Sequence, residues 1–530
     1  MDIRRTVRGA AAAGVIAASS LGAFVVAQSI GEGFAGFWGS NYSALSAGAD
    51  ATSAIRTIEA PSSATATAAD DRRQRPQPFD ARTRLIHWNR IAIDASGIDH
   101  TPVAPGENRV FGEQLGPGRA SRAIAIVHIA IFDAVNAIVN EWDSFTRLAP
   151  EPQGGSVDAA IAQAAHDTLV SVFPSQAASF NKALADDLAR IAARGKEQGR
   201  RAGRRAAAAI LAERRNDGSD RPEPRLGIEF IPSDRAGKWR QDPVSAVPVA
   251  LGAHWGQVRP FVIESGERFR VPPPPALGSR PYAQAFDEVK RLGGDGTITD
   301  TARTEEQTSI GIYWAYDGVP SLCAPPRLYN QLAITIADRM GSGFVDLTRL
   351  LALVNVAMAD AGIAIWESKY YYQFWRPITA IREADNGSGP SGAGDGNPAT
   401  SGDPKFLPLG APASNLSGPD FTPPFPAYPS GHAGFGGAIF EVLRQFYGTD
   451  AIDFSFTSDE YNGLTRGREG IRPLHPRHFT SLSQAEEENG QSRIYLGIHW
   501  SFDKTQGIAQ GRRVARHVLR NAFGPRRLRF

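Results

Sequence analysis

Apolar residues recur along this chain at the spacing of one helix face far more often than in strict alternation. Within 345–383, Leu347, Leu350, Leu351, Val354 and Met358 follow the i, i+3, i+4, i+7 pattern of a helix with one buried stripe. The run 121–139 is apolar almost all round, which predicts a helix buried on every side. Ala-rich segments with basic outer positions over 155–215 predict further helices, closed by the turn-forming residues Asn216, Asp217 and Gly218. Helical patterns also cover 302–316 and 326–340, a new helix begins near Ser430, and another pair occupies 484–522. Two stretches interrupt the pattern. Residues 216–300, with many Pro and Gly, read as long surface loops. Residues 384–426 form a Gly/Pro/Ser-rich connection of a length that is functional or disordered inside a compact domain. The pattern predicts an all-α class built of packed helical bundles, with no internal repeat.

Composition adds little until it is read locally. A 530-residue chain can bury a large core, and a formal net charge of +2 implies neither nucleic acid nor an acidic partner, so any important positive charge is local. One cysteine, Cys323, excludes an intrachain disulfide. Arg4, Arg5 and Arg8 precede an Ala/Gly/Val-rich apolar run over 9–27, the layout of a cleavable signal peptide. The paired arginines fit twin-arginine export to a secreted or periplasmic location; an uncleaved membrane anchor is the alternative. No other uninterrupted apolar stretch reads as a bilayer span, so the mature protein is expected without stable membrane insertion. Residues 28–80 read as a disordered linker. The chain thus divides into 1–27, 28–80, an N-terminal helical half over 81–300 and a C-terminal half over 301–530.

Three segments of the C-terminal half carry chemistry. In Lys369-Tyr-Tyr-Tyr-Gln-Phe-Trp-Arg376-Pro377 the two cations are seven apart, on one face if the helix continues, although Pro377 argues for a bend. Aromatic company (Trp366, Tyr370, Phe374, Trp375) makes an ordinary solvated face a poor description, but an amphipathic helix with snorkelling ends stays open. In Pro429-Ser430-Gly431-His432, Ser430 is an N-cap candidate, and the free amides of Gly431 and His432 would attract an anion to the helix start. In Ser492-Arg493 through Asp503, Arg493 and His499 lie six apart, so a break at Gly497 is expected, while Asp503 lies one turn beyond His499. Its carboxylate could take the Nδ1 proton and leave Nε2 free as a nucleophile or ligand. Each segment alone fits a structural role. Together they supply two arginines, a lysine, a hydroxyl, backbone amides and two histidines, the donor set that a tetrahedral oxyanion requires. By contrast, His475 and His478 lack the helical spacing of a zinc pair, and His128 and His166 read as satisfied core histidines.

The order K-x6-RP, PSGH, SR-x5-H-x3-D resembles the signature of the type-2 phosphatidic acid phosphatase and vanadium haloperoxidase superfamily. The flanks FPAYPSGHA (425–433), FWRP (374–377), YWAYDG (313–318) and PPRLYNQ (325–331) are more similar to the chloroperoxidase branch. The resemblance spans 81–520 loosely and 310–505 well. It implies two packed four-helix bundles with the active site in the second, and vanadate as cofactor, with His499 as the metal ligand. By the same resemblance Lys369, Arg376, Ser430, Gly431 and Arg493 bind the oxyanion's oxygens, His432 acts as acid/base, Asp317 orients an arginine, and Trp366 and Phe425 flank the halide pocket. Implied partners are hydrogen peroxide, halide and small organic substrates. The implied activity is oxidation of halide to hypohalous acid. A soluble acid phosphatase working through a phospho-histidine at His499 is the rival reading, because a site shaped for five-coordinate vanadate also suits phosphoryl transfer. A purely anion-binding protein would not need both His432 and His499.

Overall fold

In the computed structural model of the chain, the structure describes residues 33–44, 79–151 and 154–526. The expected signal segment 1–27 and most of the expected linker lie outside these residues. Among the described residues, the helices in order are α1 (Gly33–Trp38), α2 (Ala81–Asp99), α3 (Gly116–Val139), α4 (Val157–Val172), α5 (Ala177–Arg190), α6 (Lys196–Glu213), α7 (Arg280–Leu292), α8 (Glu305–Tyr313), α9 (Pro326–Arg339), α10 (Phe344–Tyr372), α11 (Pro377–Arg382), α12 (Gly431–Tyr447), α13 (Leu482–Tyr495) and α14 (Ser501–Asn521). Strands are confined to short two-stranded pairs. The all-α expectation holds.

Two groups of helices share the core. In the first, α3 packs against α4 and α6, with α2 on α4; in the second, α10, α12 and α14 pack on one another, with α13 against α12. Helix α10 also lies along α3 and joins the groups. Both joining helices are long and apolar enough to cross a bilayer, contrary to the sequence reading. Yet 83% of that window in α3 and 94% in α10 is buried inside the protein, so their apolar surface is already covered. Helix α3 opens with Pro117 in its first turn, where a missing N–H costs nothing, and ends at Asn140 in the left-handed conformation.

The tightest crossing, α12 on α14, depends on glycine. A Cβ on Gly437 would lie 2.5 Å from the Ile508 carbonyl oxygen, and one on Gly507 would lie 2.7 Å from that of Ser430. Because the backbones meet, the start of α12 is seated beside the start of α14, and the Ser430 amide donates to the Asp503 carbonyl at 3.1 Å.

Three expectations are corrected. The helix expected over 345–383 is two helices. Helix α10 ends at Tyr372, Gln373 takes φ 52°, and Arg376 sits in extended conformation as N-cap of α11, with Pro377 opening the new helix. Proline lacks the N–H and clashes with the preceding turn, so it starts a helix here instead of continuing one. Lys369 and Arg376 therefore meet across a break, not along one face. Within the stretch read as a linker, residues 33–44 are structured: α1 buries Phe37 and Trp38, and Ser43–Ala44 pair antiparallel with Leu416–Ser417. Finally, 216–300 is not merely surface, because Trp239, Val247, Leu251 and Trp255 are buried in it and α7 runs through it.

Candidate active site

The chain's three chemical segments converge at the starts of α12 and α14. Lys369 is 0% exposed at the end of α10, Arg376 1% in the break that follows, and Arg493 1% near the end of α13. Gly497 at φ 72° turns the chain between α13 and α14. This is the expected break, and it brings His499 back beside Arg376, whose Nη1 lies 3.0 Å from His499 Nε2. On the other side of the ring, His499 Nδ1 lies 2.7 Å from Asp503 Oδ2, which also accepts from the Trp500 amide at 3.2 Å. The carboxylate thereby holds the proton on Nδ1 and leaves Nε2 as the acceptor that Arg376 Nη1 meets.

The long connection 384–426 is described throughout and runs to the site. Its end lies over the cations: Lys369 Nζ donates to the Pro426 and Ala427 carbonyls at 2.8 and 2.9 Å, and Arg376 Nε to the Phe425 carbonyl at 2.9 Å. The Phe425 ring stands 4.9 Å from that of Trp366, centroid to centroid, and 5.0 Å from both Lys369 Nζ and Arg376 Cζ. Ser430 caps α12 by accepting from the Ala433 amide at 3.4 Å. That leaves the Gly431 and His432 amides at the positive end of the helix. His432 Nε2 is hydrogen-bonded to the Ala315 carbonyl and lies 3.8 Å from Asp317 Oδ1. Asp317 in turn accepts from Arg493 Nη2 at 2.6 Å.

Electrostatics identify what the site suits. Three buried cations face two buried carboxylates, Asp317 and Asp503. Burial, and then the charge of Arg376, hold Lys369 well below the usual lysine range. Arg376 is pulled down to about 9 by burial, against Asp503, while burial pushes Asp503 up to about 7. His499 and His432 are both held well below the ordinary imidazole range, chiefly by burial and then by the adjacent cations. Arg493 Nε and Nη1 are buried without a hydrogen-bond partner among the described residues. Orphaned guanidinium donors beside an imidazole whose Nε2 faces a second guanidinium fit an oxyanion that carries several charges. One cavity, lined by Asp317, Gly431, His432, Arg493 and His499, gives access to them.

All ten residues read from the sequence thus gather in one region. Three contributions were not foreseen: the 423–427 carbonyls, the Ala315 carbonyl, and a cavity wall from Phe37 and Trp38. Backbone acceptors leave no trace in residue types. The aromatic cluster Phe34, Phe37, Trp38 in a Ser/Thr/Ala-rich stretch was a visible signal of a buried contact. Elsewhere, His128 bonds Asn89 at 2.8 Å and His166 bonds Asp167 and Asn181, as core or half-buried structural histidines. His475 and His478 belong to no group of three or more His, Cys, Asp or Glu side chains placed to hold a metal ion among the described residues.

Fold and site together define a helical protein with a buried, cation-rich oxyanion pocket and a carboxylate-held imidazole. Residues 349–525 match the family described as the VCPO second helical-bundle domain. The vanadium chloroperoxidase of Curvularia inaequalis is 31% identical over 501 residues, 79% of this chain and 78% of that one. The chain therefore belongs to the vanadium chloroperoxidase family. In fold it is similar to a bacterial vanadium-dependent iodoperoxidase (TM-score 0.65, 24% identity, 85% of this chain and 99% of that one). It is also similar to the holo form of a bacterial vanadium-dependent chloroperoxidase (TM-score 0.56, 17% identity, 78% and 93%).

Proposed function

We propose that the chain is a vanadate-dependent haloperoxidase that oxidises halide with hydrogen peroxide to hypohalous acid, and that the residues above carry the reaction. The observation that carries this reading is Arg493, with two buried donors left over among the described residues, beside His499, whose Nδ1 is held by Asp503 and whose Nε2 faces the Arg376 guanidinium. Arg376, Lys369, Arg493, Ser430 and the Gly431 amide would hold the oxygens of vanadate, and His499 would bond its metal. Bound vanadate supplies a Lewis-acidic centre at which peroxide becomes an electrophile toward halide.

The chain's own groups do the remainder. Asp503 fixes the tautomer of His499. Asp317 aims the Arg493 guanidinium. His432, which lines the pocket, would accept a proton from incoming peroxide and return one during turnover. Burial of the cations strengthens their pull on oxygen charge. Trp366 and Phe425 form an apolar wall where halide would approach, and small organic molecules would take up the product halogen. The phosphatase reading is not favoured, because the named relatives are haloperoxidases.

The C-terminal half over 301–530 supplies the catalytic groups and 81–300 supports them. Residues 1–27 would direct export and be removed, which N-terminal sequencing of exported protein checks. The principal test is addition of orthovanadate to phosphate-free apo-protein: bromide oxidation should appear, and phosphate should compete. No gain in activity, with no vanadate binding in calorimetry, would overturn the assignment.

A further inference from the structure

Trp366 is held at both ends of its ring. Its indole Nε1 donates to the Leu251 carbonyl at 3.0 Å, and a Cβ on Gly431, at the oxyanion end, would lie 3.4 Å from its Cη2. A Cβ on Gly252 would lie 2.2 Å from Nε1, so only a glycine, here at φ 76°, lets the ring approach the backbone this closely. Tyr370, one turn further along α10, donates its hydroxyl to the same Leu251 carbonyl at 2.9 Å. The N–H of that peptide unit, on Gly252, donates to the Glu223 carboxylate. The Leu251 amide in turn donates to the Pro424 carbonyl at 2.9 Å, next to Phe425. Residues 251–252 thus tie together both rings of the apolar wall. Behind them stands Glu223, whose side chain is 3% exposed and whose second oxygen pairs with Arg119 of α3.

We infer that Glu223 is a positioning residue for halide binding: by accepting from the Leu251–Gly252 peptide it fixes the Trp366 indole against Gly431 and so sets the wall that halide meets. The inference rests on the haloperoxidase reading and deepens it by naming what holds the halide side of the site. A carbonyl that accepts two hydrogen bonds at once needs electron density. A carboxylate on the N–H of the same peptide supplies it, because hydrogen bonds in a buried chain polarise one another. With Nε1 occupied by Leu251, it is the benzene edge of the indole that lies by Gly431, beside the amide assigned to the oxyanion. The place of that edge decides how closely an anion can approach the cations behind it. If the peptide tips, the indole leaves Gly431 and halide is held less well. Glu223 itself is not among the residues that line the cavity, so it acts through Trp366 and touches no reacting atom.

Arg119 is 6% exposed, so removing Glu223 alone would strand a buried charge. The test therefore compares two paired variants of equal charge in the full chain. Arg119→Met with Glu223→Leu removes the acceptor for the Gly252 amide, and Arg119→Met with Glu223→Gln keeps one. In both, the Ala250 amide keeps its bond to the Pro224 carbonyl, 2.9 Å in wild type, which seats the segment without the Glu223 side chain. With vanadate loaded, the leucine pair should raise KM for bromide about fivefold or more, with kcat and vanadate affinity within about twofold of wild type. The glutamine pair should restore the wild-type KM. Tyr370→Phe, which deletes one hydroxyl, should raise it in the same direction by less. A second readout needs no turnover: in isotope-labelled protein without vanadate, the Trp366 indole N–H, identified by its loss in Trp366→Phe, should exchange with solvent about tenfold faster in the leucine pair than in the glutamine pair. Equal KM for bromide in the two pairs, or equal exchange, would overturn the role of Glu223. Faster exchange in the leucine pair, with no vanadate-dependent bromide oxidation by wild type, would uphold the hold on Trp366 and sink the haloperoxidase reading instead.

Discussion

Arg493 donates from Nη2 to Asp317 Oδ1 at 2.6 Å, while its Nε and Nη1 remain buried and without a partner among the described residues. One carboxylate thus aims a guanidinium whose other edge is kept for an anion. Asp317→Ala removes the aim and should weaken vanadate binding by about 10- to 100-fold, the cost of one charge-assisted hydrogen bond. Asp317→Asn keeps an acceptor and removes a buried negative charge near the anion, so it should bind nearly as tightly as wild type. Calorimetric titration of both variants separates orientation from charge; equal losses in the two would show that charge, not aim, is the carboxylate's contribution.

The two histidines should fail differently. His499→Ala should abolish tight vanadate binding, because the nitrogen proposed to bond the metal is removed. His432→Ala should retain measurable binding and lose most turnover. Asp503→Asn sits one step behind His499 and should cost about 10- to 100-fold in vanadate affinity by freeing the ring's tautomer. Unchanged vanadate affinity in His499→Ala would remove that residue from the ligand role.

Halide choice should depend on Phe425. Its ring lies 5.0 Å from Lys369 Nζ and equally far from Arg376 Cζ, so it keeps water from both cations. Chloride is harder to oxidise than bromide and needs the stronger electrophile. Phe425→His would bring a polar, hydrated ring beside Lys369 and weaken its pull. Chloride oxidation by wild type is expected at acidic pH, and Phe425→His should lower kcat/KM for chloride about tenfold more than for bromide. An unchanged ratio would make Phe425 a purely structural anchor.

Stability should fall in acid partly through His128, away from the site. Burial holds its imidazole down to about 3 in the folded chain, against about 6.5 unfolded. The folded state binds fewer protons than the unfolded state between those values. His128 therefore costs stability as pH falls below about 6.5, by up to about 1.4 kcal/mol per pH unit, until it protonates in place near pH 3. His128→Gln preserves a donor toward Asn89 and does not titrate. Its thermal midpoint, lower than wild type at pH 7, should approach or pass that of wild type by pH 4.5. A constant gap across that range would assign the acid sensitivity to other groups.

Helical class, the break at Gly497, the cap at Ser430 and the pairing of His499 with Asp503 were all legible from local sequence. Each follows from rules acting within a few residues: apolar periodicity, a left-handed turn, a hydroxyl before an apolar helix, and an i, i+4 pair. The relation of Lys369 to Arg376 was misread over the same short range, because Pro377 can kink a helix or begin one, and only packing of α11 decided which. The motif order also pointed to the charged residues that the structure gathers in one pocket, although each segment alone fits a structural role. Tertiary structure alone decided the rest. It determined which carbonyls accept from Lys369, that two Arg493 donors have no partner among the described residues, and that α1 lines the cavity. Backbone oxygens exist at every position and gain meaning only where the chain crosses itself. Gly437 and Gly507 let α12 and α14 approach closely enough for their two N-termini to share one site, a distance set by the absence of side chains on both helices together.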